Sequence, residues 1–168
     1  MNSDEIRINK IISIIKDSKY GIHDLSRVEF SKDSPLPRFN MPLELGIFIG
    51  CQKYGGTIHK QKRYLVFDKE QYRYKRFISD ISGQDIRGHN NNPKDIISTI
   101  REWLAHVSKK TIAGPRFHIE RYELFRIELQ DRCSKYDWDY DNLTYKEYIR
   151  LITEFIDSKT MELLNTKI

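Results

Sequence analysis

Residues 20–50, YGIHDLSRVEFSKDSPLPRFNMPLELGIFIG, restrict the fold of this chain more than any other stretch. A short apolar run, Tyr20, Gly21 and Ile22, delivers His23, Asp24 and Ser26 to its carboxyl end, the pattern of a strand running into a polar loop. Pro35 and Pro37 punctuate that loop, and Asn40, Pro42 and Glu44 then open an apolar helix. Asn ahead of an apolar run predicts an N-cap. Proline is tolerated in a first turn because its missing N–H had no partner there. A strand end and a helix start, both rich in polar groups, are therefore expected at one edge of a sheet. In open α/β folds ligands bind at that edge.

The flanking sequence continues the alternation. Residues Asp4–Asp17 predict a helix with Ile8, Ile11, Ile12 and Ile15 on one stripe and Ile14 beside it, and with Arg7, Lys10 and Lys16 toward the other side. The strand is expected over Tyr20–Leu25 and the next helix over Asn40–Lys53. Leu43, Leu45, Ile47, Phe48 and Ile49 run nearly all round that helix, as in a buried one. Gly55 and Gly56 break it, and Lys62–Asp68 reads as a parallel strand. Asn90–Pro93 caps a helix with Ile96, Ile97, Ile100, Trp103 and Leu104 on its apolar face. The order helix, strand, helix, strand, helix predicts an α/β fold, a parallel sheet with covering helices, in which only two strands are evident.

Beyond Lys110 the composition changes. Alternation in Arg116–Arg121 predicts an edge strand, paired with Tyr122–Glu128. After the polar, acidic segment Asp137–Asn142, Thr144 and Glu147 predict the capping box of a last helix. Its packing stripe is Tyr148, Leu151, Ile152 and Phe155. The expected division is an α/β domain over 1–107 and a mainly helical C-terminal extension over 108–168 that packs on it.

With 168 residues, 39% of them hydrophobic, the chain can bury a substantial core and falls outside the disordered class. Its two cysteines have no CxxC spacing and read as reduced thiols of a cytoplasmic protein. No apolar run approaches the ~18 residues of a membrane span, and no basic-then-apolar leader opens the chain. A net charge of +5 would attract phosphates, but the basic runs are short and mixed in sign, which disfavours a nucleic-acid surface. Tyr64, Tyr72, Tyr74 and Phe77, interleaved with Lys62, Arg63, Arg73, Lys75 and Arg76, read either as a base-stacking strip or as core aromatics beside solvated cations. There is no GxGxxG, no GxxxxGK[ST] and no HExxH, so no dinucleotide fingerprint, P-loop or zinc motif is present.

The pairing of HDLSR with PRFNMPLELG, followed by YRYKRFISDISGQDIRGH and a helix ending REWL, resembles a bacterial family of TIR-like, nucleoside 2-deoxyribosyltransferase-like proteins. The similarity runs from about Ile6 to about Leu104. Its motifs are specific to the family and weaker as pointers to one reaction. The resemblance implies a flavodoxin-like sheet and cleavage or transfer at the N-glycosidic bond of a nucleoside or of NAD, in bacterial defence or nucleotide signalling. Glu44 matches the family's catalytic glutamate. No bound cofactor is implied, since NAD, if used, is substrate. The implied partners are a nucleotide or nucleoside and a second copy or protein partner. Members of that family begin with a further strand and helix ahead of the equivalent of Glu5–Lys10, that strand being central in the sheet, and the expectation is that this chain departs from them in lacking it. The alternative is a non-catalytic, TIR-like module that senses nucleotides or binds proteins.

Several residues carry the expected chemistry, each with a structural use of its own. A carboxylate at Glu44 would stabilise or attack a cationic sugar at C1′, yet a helix dipole alone favours Glu in a first turn. Asp24 and Ser26 sit where such folds hold sugar hydroxyls or phosphates, and where a turn is capped. His23 reads as a proton shuttle or as a core residue. Arg38 would grip a phosphate in bidentate fashion, with Asn40 beside it. In the turn-rich block Asp80, Ser82, Gly83, Asp85 and His89, the two carboxylates Asp80 and Asp85 would hold ribose hydroxyls, or the loop satisfies itself.

Overall fold

A computed structural model describes residues 6–28, 38–81 and 84–165, with side chains through Glu162. Asp4, Pro35, Pro37, Ser82 and Gly83 lie outside the described residues. The chain divides into two compact units, Met1–Ile112 and Ala113–Ile168, a few residues beyond the expected boundary.

The first unit runs α1 (Arg7–Asp17), β1 (Tyr20–Asp24), α2 (Asn40–Tyr54), β2 (Arg63–Asp68), β3 (Ile86–Gly88) and α3 (Pro93–Ser108). Its three strands lie in the order β1-β2-β3 and both pairs are parallel. Tyr20 to Asp24 align with Arg63 to Phe67, and Val66 to Asp68 with Ile86 to Gly88. The unit is α/β, as expected. The third strand corrects the reading of 80–89 as loop alone. Three residues between turn formers are too few for a strand period to show in sequence, and β2's open edge selects them.

Strand alternation decides what each face of β1 meets. Gly21 and His23 face α2: a Cβ on Gly21 would fall 2.8 Å from the Phe48 ring, so only glycine fits there. Tyr20 faces the other way, its ring 5.8 Å from that of Trp103 on α3. Leu25, Leu45, Val66, Tyr74 and Ile86 form the buried cluster, joined by Met41 and Ile49 of α2. Asn92 caps α3 as expected, accepting from Lys94 N at 3.0 Å ahead of Pro93.

The isoleucine stripe of α1 is only partly used. Ile15 is buried and Ile8 and Ile11 are half-buried, but Ile12 and Ile14 are 46% and 55% exposed, so the helix packs by its Ile8, Ile11 and Ile15 side. On the sheet, Ile22 of the edge strand β1 is also 44% exposed. Parallel sheets are normally covered on both faces. This part of the described surface is uncovered.

Lys62 ties α1 down. Its ammonium is buried and donates to Ile15 O at 2.5 Å, to Lys16 O at 3.1 Å and to Ser18 O, the carbonyls that end the helix. A cation at a helix C-terminus is favoured by the dipole, and all three of its N–H bonds are used here. Replacing it by Met keeps the volume and removes every donor. Lys62→Met is expected to cost about 2–3 kcal/mol in urea unfolding, with hydrogen exchange accelerating first in α1.

The second unit pairs α4 (Pro115–Ser134) with α5 (Tyr145–Asn165). The expected strands over Arg116–Arg121 and Tyr122–Glu128 are thus corrected to one helix. Pro115 stands at its first position, Arg116 pairs with Glu120 at i,i+4, and Phe125, Leu129 and Cys133 repeat every four residues. Six alternating residues could not outweigh that pattern. Phe125, Leu129 and Cys133 pack on Leu151 and Phe155 of α5. The capping box is present: Glu147 N donates to Thr144 Oγ1 at 3.3 Å and Thr144 N to Glu147 Oε2 at 2.8 Å.

Candidate functional site

The direction of the helices fixes which residues share the carboxyl edge of the sheet. Lys62, one residue before β2, binds the last carbonyls of α1, and Arg63 N donates to Lys19 O at 3.0 Å. Gln52, near the end of α2, donates to Lys62 O at 2.6 Å. Both helices therefore end at the amino edge of the strands and begin at the carboxyl edge.

At those two beginnings lies an open cleft of about 290 Å³, lined by Arg7, Ile8, Ile11, Asn40, Leu43 and Glu44. Glu44 is half-buried in its wall. Two expectations about this helix are corrected. Asn40 is its first residue rather than its N-cap, Phe39 holding that place with no side-chain cap bond. Glu44 consequently stands in the second turn, and the first turn carries no acid. The first intrahelical bond runs from Leu43 N to Phe39 O at 3.0 Å, so the absent N–H of Pro42 leaves no gap in the ladder.

The strand ends carry a second polar group. Asp24 Oδ1 accepts from Ser26 N at 2.9 Å, closing the turn after β1. The same oxygen lies 3.4 Å from His89 Nε2, close enough for attraction but not aligned as a hydrogen bond. His89 is buried, and its Nδ1 accepts from Asn91 N at 3.0 Å. That bond leaves the proton of the neutral ring on Nε2, facing Asp24. The turn is made by Asn90 and Asn91, both left-handed with φ of 48° and 56°, the non-glycine residue best suited to that region.

Asp68, at the end of β2, is fully buried. It accepts from Lys69 N at 2.7 Å and from Arg73 Nε at 2.8 Å, and Arg73 also donates to Leu25 O at 3.0 Å. Its other oxygen, Oδ2, is buried without a hydrogen-bond partner. Tyr72, just before Arg73, is left-handed at φ 69°, a costly conformation for an aromatic residue that turns the chain back toward Asp68. His89 N and Asn90 N donate to Asp68 O and Lys69 O, at 3.1 and 2.7 Å. A Cβ on Gly88 would fall 2.7 Å from Gln71 N, so glycine permits this brace.

His23, on the α2 side, is buried with neither ring nitrogen hydrogen-bonded. It is a core residue, though not a satisfied one, and burial pushes its pKa down to about 4. The unfolded chain then binds the extra proton between about pH 6.5 and 4. Stability is full above that window and falls through it as the pH drops, by on the order of 3 kcal/mol. Urea midpoints measured from pH 7 to 4 are expected to fall in the wild type and to flatten in His23→Leu.

The other expected residues lie elsewhere. Asp85 is exposed and paired with Arg87 at 2.5 Å, Asp80 is exposed in a turn, and Arg38 is exposed ahead of α2. None of Asp24, Ser26, Asp80 and Asp85 lines the cleft that holds Glu44. Sequence reasoning missed the Asp68–Arg73 pair, whose only mark is an acid closing an apolar strand five residues before a base. Of the interleaved aromatic block, Arg73 and Tyr74 are buried while Tyr72 is exposed beneath Lys75.

Among the described residues no cluster of three His, Cys, Asp or Glu side chains could hold a metal ion. None of the described helices is long and apolar enough to cross a membrane. Comparison of the chain with protein-family models, with curated proteins and with solved structures finds no match.

Proposed function

We propose that this chain is a TIR-like, deoxyribosyltransferase-like protein with a flavodoxin-like sheet, acting at the N-glycosidic bond of a nucleoside or of NAD. The observation that carries the reading is the half-buried carboxylate of Glu44 in an open cleft at the carboxyl edge of a parallel sheet. In open α/β sheets that edge is the ligand edge. The HDLSR and PRFNMPLELG motifs support the same assignment.

The chemistry asks little of the protein. The C1′–N bond breaks, the electron pair leaves with the base, and the sugar becomes cationic. Glu44 stabilises that cation or bonds to it, and water or an acceptor hydroxyl then takes C1′. Asp24, whose turn Ser26 braces, stands at the same carboxyl edge outside that cleft, where it would meet a part of the substrate that reaches beyond Glu44. Arg38 meets a phosphate where the substrate has one, and NAD in this scheme is substrate. The test is chromatographic: the purified chain, incubated with NAD and a panel of nucleosides, is expected to release free base.

A second reading has its own observation. Among the described residues no strand pairs with the outer edge of β1, and Ile22 on that strand and Ile12 and Ile14 of α1 are exposed. Such an edge accepts an added strand. In this reading the unit is a non-catalytic assembly or nucleotide-sensing module. Self-association with no base released from any substrate is the result that favours it.

A further inference from the structure

We propose that the α4–α5 hairpin binds a single-chain anionic amphiphile, a medium-chain fatty carboxylate, with the headgroup at His118 and Arg121. The groove between the two helices has a volume of about 510 Å³, within the roughly 300–1,000 Å³ of small-molecule clefts. Its floor and walls are largely apolar, lined by Phe117 and Phe125 of α4 and by Tyr148, Ile152, Phe155 and Ile156 of α5. Ile156 remains 52% exposed beside it. An acyl chain laid there would cover that surface without bringing in any polar group to be desolvated.

Two further observations specify the charge of the occupant. His118 and Arg121 line the groove three residues apart, and hence on one side of α4. Nε2 of His118 is buried without a hydrogen-bond partner. A polar atom left so in an apolar groove is costly, and a ligand oxygen would remove that cost. The Arg121 guanidinium stacks 4.6 Å from the Phe117 ring centre and has no carboxylate partner among the described residues. The acid nearest in sequence, Glu120, is taken by Arg116 at 2.7 Å. Among the described residues no acid lines the groove.

One end of the groove thus offers a guanidinium and an unpartnered imidazole nitrogen, and the remainder offers hydrocarbon. A carboxylate accepts from the guanidinium, which is already held in place by its stacking, and from His118 in the tautomer that carries its proton on Nε2. A second copy of the chain fits less well. Face to face it would add another His118, another Arg121 and no acid to the same seam.

The test uses the full chain and dodecanoate below its micellar concentration, with dodecanol as the neutral control. Calorimetry is expected to show saturable uptake of dodecanoate at one site, with methyl NMR shifts at Ile152 and Ile156. Dodecanol should bind at least about tenfold more weakly, and Arg121→Gln should weaken dodecanoate by about tenfold while leaving dodecanol unchanged. Equal affinity for acid and alcohol, an unaltered Arg121→Gln variant, or no saturable uptake overturns the proposal. Ile152 shifts that follow protein concentration without ligand would assign the groove to a second copy, and so overturn it too. These outcomes are independent of base release by the first unit.

Discussion

Asp68→Ala is expected to lower the stability of the first unit by about 3–5 kcal/mol, among the largest effects a single substitution here can have. Whole domains are stable by only ~5–15 kcal/mol, so the substitution removes a large share of that margin. The reason is an asymmetry in how buried charges behave. With Asp68 in place, Arg73 faces a carboxylate that is fully buried, and it also reaches Leu25 O across the end of β1. Without it the guanidinium stays buried and loses that carboxylate. Desolvation is then no longer offset by the ion pair. Adding Arg73→Met to Asp68→Ala should restore part of the loss, because replacing both partners removes the charge as well as the pair. Denaturant unfolding of the two single variants and the double variant measures this coupling directly. Additive losses would mean that the pair is incidental to the fold.

The same pair shows why some of the molecule is legible in sequence and some is not. Local signals that depend on a few neighbouring residues survive. Asn92 and Pro93 start α3, and Thr144 with Glu147 starts α5 by a capping box that needs nothing beyond its own first turn. β1 and β2 are legible because short apolar runs, Tyr20–Ile22 and Tyr64–Phe67, lie between turn formers and leave few alternatives. β3 is not, since three residues acquire strand character only by lying against β2. In α4, six alternating residues imitated a strand, and the repeat that decides the matter begins only at Phe125.

The candidate site divides in the same way. Asp24 and Ser26 were placed at a strand end by local pattern, and that is where they lie. Their neighbour His89 is distant in sequence, brought over by the crossover between parallel strands and aimed by two left-handed asparagines. Asp80 and Asp85 are close to it in sequence, yet they face solvent. Proximity along the chain was a poor guide in that loop because its direction is set by the brace between Asp68, Lys69 and the residues after β3.

Glu44 carries the central claim. It is half-buried in the cleft, away from the buried cluster that holds the first unit together. Glu44→Gln keeps shape and hydrogen-bonding capacity and removes the negative charge. A catalytic carboxylate that balances a cationic sugar should then be missed in the rate by at least about a hundredfold. Helix stability should hardly register the change, since Glu44 lies beyond the first turn, where the dipole acts most. The decisive measurement is the initial rate of base release from NAD and nucleosides by wild type and Glu44→Gln side by side, with both melting temperatures recorded. The account predicts release by the wild type, its loss in the variant and melting temperatures within about 2 °C of each other. Undiminished release by the variant, or no release by the wild type from any of these substrates, would contradict it.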